Sequence, residues 1–122
     1  MILIDTSVWV DHLRVGDKLL VRLLDASQVL AHPFVIGELA LGNLRQRQLI
    51  LQTLSDLPPA KVASDREVLH FIEHDSLFGL GIGYVDAHLL AAVRLTAGAM
   101  LWTRDKQLHG VASRMGLAAN LS

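Results

Sequence analysis

The chain has 122 residues, enough for one domain with a sizeable core. Apolar residues make up 52% of it, yet no run reaches the ~18 uncharged apolar residues of a membrane helix, because Asp86, His88 and Arg94 interrupt the most apolar stretch. A net charge of −1 removes any global attraction to nucleic acid, and the absence of cysteine removes disulfides and thiolate metal sites and fits the cytoplasm.

Met1-Ile2-Leu3-Ile4 reads as a buried first strand ending at Asp5; an acid there, with no basic residue before it, does not read as a secretory leader. Thr6 and Ser7 open a predicted helix that stops near Gly16. Lys18 to Leu24 is a second helix and Gln28 to Ala31 a short strand. Pro33 opens a third helix that runs to about Gly42, and Arg45 to Ser55 is a fourth. Leu57-Pro58-Pro59 breaks the chain before Lys61-Val62-Ala63, a weak predicted strand. Asp65 to about Asp75 is helical, Gly79, Gly81 and Gly83 form a tight turn, and Val85 to Thr96 is another helix. Met100 to Trp102 is a strand, Lys106 to Met115 the last helix, and Leu117-Ala118 an added edge strand. Short strands alternating with helices predict an α/β fold: a parallel sheet with helices on both faces.

In such a sheet, ligands bind beyond the carboxyl ends of the strands. Asp5 and Asp105 both follow strands and belong to that edge. Glu38 lies roughly 7–8 Å along the helix that starts at Pro33, within reach of the same edge. The helix carrying Asp86 precedes the Met100 strand and should run antiparallel to it, which brings its start back beside Asp105. Two carboxylates ~4 Å apart repel by roughly 4 kcal/mol at an effective dielectric near 20, so four together call for a cation. Each aspartate also has a second reading as the cap of the helix behind it. Glu38 has buried-looking neighbours, and a buried glutamate is rare unless paired or metal-bound.

Thr6 beside Asp5, and Thr103 beside Asp105, can orient carboxylates or water, or cap helices; Ser7 reads as a cap. Arg14, Arg45, Arg104 and Lys106 are candidates for phosphate contact, with a solvated surface role as the alternative. His70 and His74 have ligand spacing but no third partner, so a solvated face is the simpler reading. His32 and His88 flank the acids, where phosphate contact and a packed role are both open. Trp9 and Trp102 read as core. The glycine loop lacks the lysine of a P-loop.

Four segments resemble PIN-domain ribonucleases, specifically VapC-type toxins of bacterial toxin–antitoxin pairs. They are Met1-Ile2-Leu3-Ile4-Asp5-Thr6-Ser7-Val8-Trp9, Pro33-Phe34-Val35-Ile36-Gly37-Glu38-Leu39, Gly83-Tyr84-Val85-Asp86-Ala87-His88-Leu89-Leu90 and Thr103-Arg104-Asp105-Lys106. The resemblance spans the chain, implying a single PIN domain over residues 1–122 in a three-layer fold with about five parallel strands. By position it places the family's metal-binding, catalytic acids on Asp5, Glu38, Asp86 and Asp105, with none substituted. It further implies a homodimer, an RNA substrate and a cognate antitoxin. Mg²⁺ or Mn²⁺ suits hard oxygen ligands and would activate water to cleave a phosphodiester, leaving a 5′-phosphate. A DNA-directed nuclease with the same acids remains a rival. A phospho-accepting receiver domain is a more distant one, since Lys106 is followed by glutamine rather than proline.

Overall fold

Three short parallel strands form the sheet in the computed structural model, which describes residues 1–121. In chain order the elements are β1 (Ile2–Ile4), α1 (Thr6–Val15), α2 (Lys18–Asp25), β2 (Val29–Leu30), α3 (Pro33–Ala40), α4 (Arg47–Asp56), α5 (Asp65–His74), α6 (Tyr84–Leu95), β3 (Met100–Trp102) and α7 (Lys106–Arg114). The strand order is β2-β1-β3, with Leu3 opposite both Leu30 and Leu101. Central β1 buries Leu3 and Ile4 completely, as a strand covered on both faces must.

The expected sheet of about five strands gives way to three, with a single bridge beyond each edge. Pro59 pairs beside Ala31, and Ala118 beside Leu101. Proline limits the first edge: Ala31 donates to the Pro58 carbonyl and Ala60 to the Ala31 carbonyl, but neither proline has an N–H to continue the ladder. The strand predicted at Lys61-Val62-Ala63 does not form, because the Lys61 N–H leaves the sheet for Thr96 Oγ1 at 2.9 Å.

Helix α6 is the central helix of the core. Ala87 to Val93 are buried all the way round it, and the small side chains of Ala87, Ala91 and Ala92 let neighbouring elements approach. Trp9 and Trp102 are buried in the core as the sequence indicates. Helix α4 starts two residues later than predicted, since Gln46 adopts a left-handed backbone (φ 52°) that breaks the turn before it. Arg47 then donates to the carbonyls of Ala40 at 2.5 Å and Gly42 at 3.3 Å, satisfying acceptors left over at the end of α3.

Candidate active site

Because the strands are parallel, the residues that follow them emerge at one edge. Asp5 follows β1, the His32–Pro33 step into α3 follows β2, and Thr103 to Asp105 follow β3. The backbone itself joins two of these exits: the Asp5 N–H donates to the Trp102 carbonyl at 2.9 Å. Helix α6 packs on β3 and carries Asp86 in its first turn.

The electrostatics of Asp86 bring all four acids together. Burial pushes its carboxyl above the ordinary range, and the charges of Asp5, Asp105 and Glu38 push it the same way, against a hydrogen bond from the Gly83 N–H. Among the described residues, no three acidic or histidine side chains close on a common point as a formed metal cage. The carboxylates thus share a field at Asp86 rather than a closed ligand shell.

Each carboxylate is held by one oxygen. Asp5 Oδ2 accepts from Ser7 Oγ at 2.7 Å, from Thr103 Oγ1 at 2.8 Å and, more weakly, from the Ser7 N–H at 3.4 Å. Glu38 Oε1 accepts from Thr6 Oγ1 at 2.7 Å. Asp86 Oδ2 accepts from the Gly83 N–H at 3.0 Å, and Asp105 Oδ1 from the Leu108 N–H at 2.9 Å. Among the described residues, none donates to the other oxygen of any of the four. Capping and ligation are therefore compatible: the aspartates cap or brace helix starts with one oxygen and keep the second free. Four hard oxygen donors, oriented in advance, fit a divalent cation such as Mg²⁺ or Mn²⁺.

Glu38 departs from its expected surroundings. Val35 and Leu39 are buried, but α3 turns the Glu38 side chain outward, where it is exposed. Its place in the site rests on Thr6 and on its field at Asp86, not on burial. Ser7, read from sequence as a cap, also belongs to the network: its Oγ donates to Asp5 and accepts from the Arg104 N–H at 3.0 Å.

The four basic candidates separate. Arg14 and Arg45 line, with Glu38, Val10, Leu13 and Ile50, a cleft of about 480 Å³. Lys106 is exposed and makes no ion pair among the described residues. Arg104 is committed inward: its guanidinium reaches Asp11 Oδ2 at 2.8 Å and Asp17 Oδ2, and it stacks over Trp102 at 5.4 Å. Those two aspartates lie at i+6 and i+12 from Asp5 in unrelated local patterns, so no sequence signal announces the clamp.

His32 and His88 have the packed role. Both are buried, and burial plus the neighbouring charge of His88 lowers the His32 imidazole to about 4, so it is neutral at ordinary pH.

The sequence signature described as PIN domain matches residues 2–113. Two ribonucleases named Ribonuclease VapC32, from Mycobacterium tuberculosis strains CDC 1551 / Oshkosh and ATCC 25618 / H37Rv, are each 48% identical to this chain over 118 residues. The alignment covers 97% of this chain and 95% of each relative. A match of that extent makes this chain a member of the PIN-domain family and of its VapC-type ribonucleases.

Proposed function

We propose that the protein is an endoribonuclease dependent on Mg²⁺ or Mn²⁺, the toxin of a toxin–antitoxin pair, with Asp5, Glu38, Asp86 and Asp105 as its metal-binding and catalytic acids. What carries this reading is the convergence of the strand exits, where Thr103, two residues before Asp105, bonds Asp5 at 2.8 Å and Thr6, next to Asp5, bonds Glu38 at 2.7 Å. The relatives' name, Ribonuclease VapC32, supports RNA as substrate. When bound, a divalent cation supplies positive charge that offsets the phosphodiester and acidifies an attacking water.

The chain's own residues prepare the site. Thr103 and Ser7 hold Asp5 by Oδ2 and leave Oδ1 unengaged; Thr6 does the same for Glu38 through Oε1. Helix starts hold Asp86 and Asp105 through backbone N–H groups. Since Arg104 is occupied, Arg45 and Lys106 are the cations left to meet phosphates, with Arg14 held only by an exposed 3.5 Å pair to Asp11. The cleft beside Glu38 suits an antitoxin segment that offers an arginine to the acids, a charge-assisted pairing. Exposed Val10, Leu41 and Leu49 support cover by another chain, in a homodimer or in the antitoxin complex.

RNA cleavage is expected to stop in excess chelator, to return with Mg²⁺ or Mn²⁺, and to leave 5′-phosphate ends. Asp86→Asn is expected to lower it by more than about a hundredfold, beyond the usual cost of losing an outer partner of a metal ligand. Cleavage that persists in chelator, cyclic-phosphate products, or full activity in Asp86→Asn would each refute the reading.

A further inference from the structure

We propose that Asp65 is a positioning residue that sets where Asp86 stands by holding the first turn of α6 from behind. The proposal rests on the reading of Asp86 as a member of the active site. Asp65 Oδ1 accepts hydrogen bonds from Tyr84 Oη at 2.9 Å and from His88 Nε2 at 3.1 Å. Tyr84 and His88 are one helical turn apart and share a face. At about 100° per residue, Asp86 lies about 200° around from Tyr84 and about 160° from His88 by the shorter way, on the opposite face. A single acceptor thus grips the back of the turn whose front carries the acid.

The grip is anchored. Asp65 is the first residue of α5, whose start is fixed by a reciprocal pair of bonds between Ser64 and Glu67 at 3.1 and 2.9 Å. Its side chain is solvent-exposed, so its charge is largely screened; what it contributes is an oxygen at the right place. His88, by contrast, is fully buried, and its other ring nitrogen, Nδ1, has no partner among the described residues. The bond to Asp65 is therefore the polar contact that fixes this imidazole, and losing it leaves a buried N–H unpaired.

The same ring packs towards the start of a second helix. His32 accepts the Phe34 N–H on Nδ1 at 3.0 Å, which puts its proton on Nε2, a buried donor without an acceptor. His88, donating through Nε2, keeps Nδ1 as a buried acceptor without a donor. Both rings stand edge-on to Phe34, at 5.2 and 4.6 Å between centroids. Asp65, His88, Phe34 and His32 thus tie the starts of α5, α6 and α3, the last of which carries Glu38.

The test compares wild type with Asp65→Ala, Asp65→Asn, Tyr84→Phe and Asp86→Asn, all as full chains. Three quantities are read: kcat and KM for RNA cleavage, Mn²⁺ affinity by calorimetry without RNA, and thermal unfolding. Since a misplacement near 1 Å can cost about a hundredfold, Asp65→Ala is expected to lose about tenfold in kcat, with KM within about twofold. Its Mn²⁺ affinity falls as well. Asp65→Asn keeps the Oδ1 acceptor and stays close to wild type, and Tyr84→Phe falls between. Wild-type kcat in Asp65→Ala, or activity falling only with the folded fraction at unchanged Mn²⁺ affinity, overturns the proposal. So does Asp65→Asn as impaired as Asp65→Ala, because charge would then matter and the acceptor would not. Should Asp65→Ala not fold, wild-type kcat and Mn²⁺ affinity in Tyr84→Phe overturn it instead. An active Asp86→Asn removes the active-site reading and this proposal with it; an inactive one beside an undamaged Asp65→Ala removes the positioning alone.

Discussion

At Asp86, burial and three negative neighbours act in one direction, and the consequence for stability has a definite sign. The native carboxyl holds its proton to higher pH than the unfolded one, so its contribution to stability is full at low pH and is lost as pH rises through the raised value. In the metal-free protein near neutral pH, Asp86→Asn should therefore unfold at or above the wild-type temperature. Mg²⁺ should reverse the order, because only the intact site gains from mass action. Calorimetric melting with and without Mg²⁺ checks both halves. His32 has the opposite sign. Its native imidazole protonates near 4 against an ordinary 6.5, so stability is full above 6.5 and is lost as pH falls towards 4, by on the order of 3 kcal/mol. His32→Asn can keep the bond to the Phe34 N–H and should flatten that slope, whatever its absolute stability; denaturant unfolding at stepped pH measures it. A variant with the wild-type slope would show that the loss comes from elsewhere.

Individual elements divide sharply in how readable they are. The positions of Asp5 and Asp105 follow from short apolar runs, and that of Asp86 from the helix before β3, because a parallel sheet sends all its strand ends to one edge. The burial expected around Glu38 is not found, since α3 turns it outward. The start of α4 and the missing strand at Lys61-Val62-Ala63 escape a sequence reading, since each depends on one local event: the left-handed Gln46, and the diversion of one N–H to Thr96. Asp65 is harder still. An acid in a helix's first turn after a serine looks like ordinary capping, and only the packing of α5 on α6 brings it to Tyr84 and His88. Arg104 is a similar case, and it can be tested at the level of elements. It ties the β3–α7 connection to α1 through Asp11 and to the start of α2 through Asp17. Arg104→Ala should lower stability by about 1 kcal/mol, a modest value for a partly exposed ion-pair network. It should leave the salt dependence of RNA binding unchanged. Arg45→Ala should do the reverse, sparing stability and reducing the slope of log affinity against log salt by about 0.7. Equal slopes in the two variants would remove the distinction.

Over the molecule as a whole, apolar surface stands uncovered. Leu41 is 90% and Leu49 62% exposed, both in the segment that borders the cleft beside Glu38. A homodimer should appear by light scattering at tens of micromolar, since micromolar affinity corresponds to only about 8 kcal/mol; a monomer at that concentration would count against it. The sheet topology also bears on how the protein is made. Asp5 and Thr103, bonded to each other, are separated by 98 residues, and the central strand has no β3 beside it until most of the chain exists. Pairing across so long an interval is slow to form. A fragment that ends before Trp102 therefore leaves Asp5 without Thr103 and lacks Asp105 altogether. On this topology a chain cut short before β3 should be inactive, even when it already carries Asp5, Glu38 and Asp86.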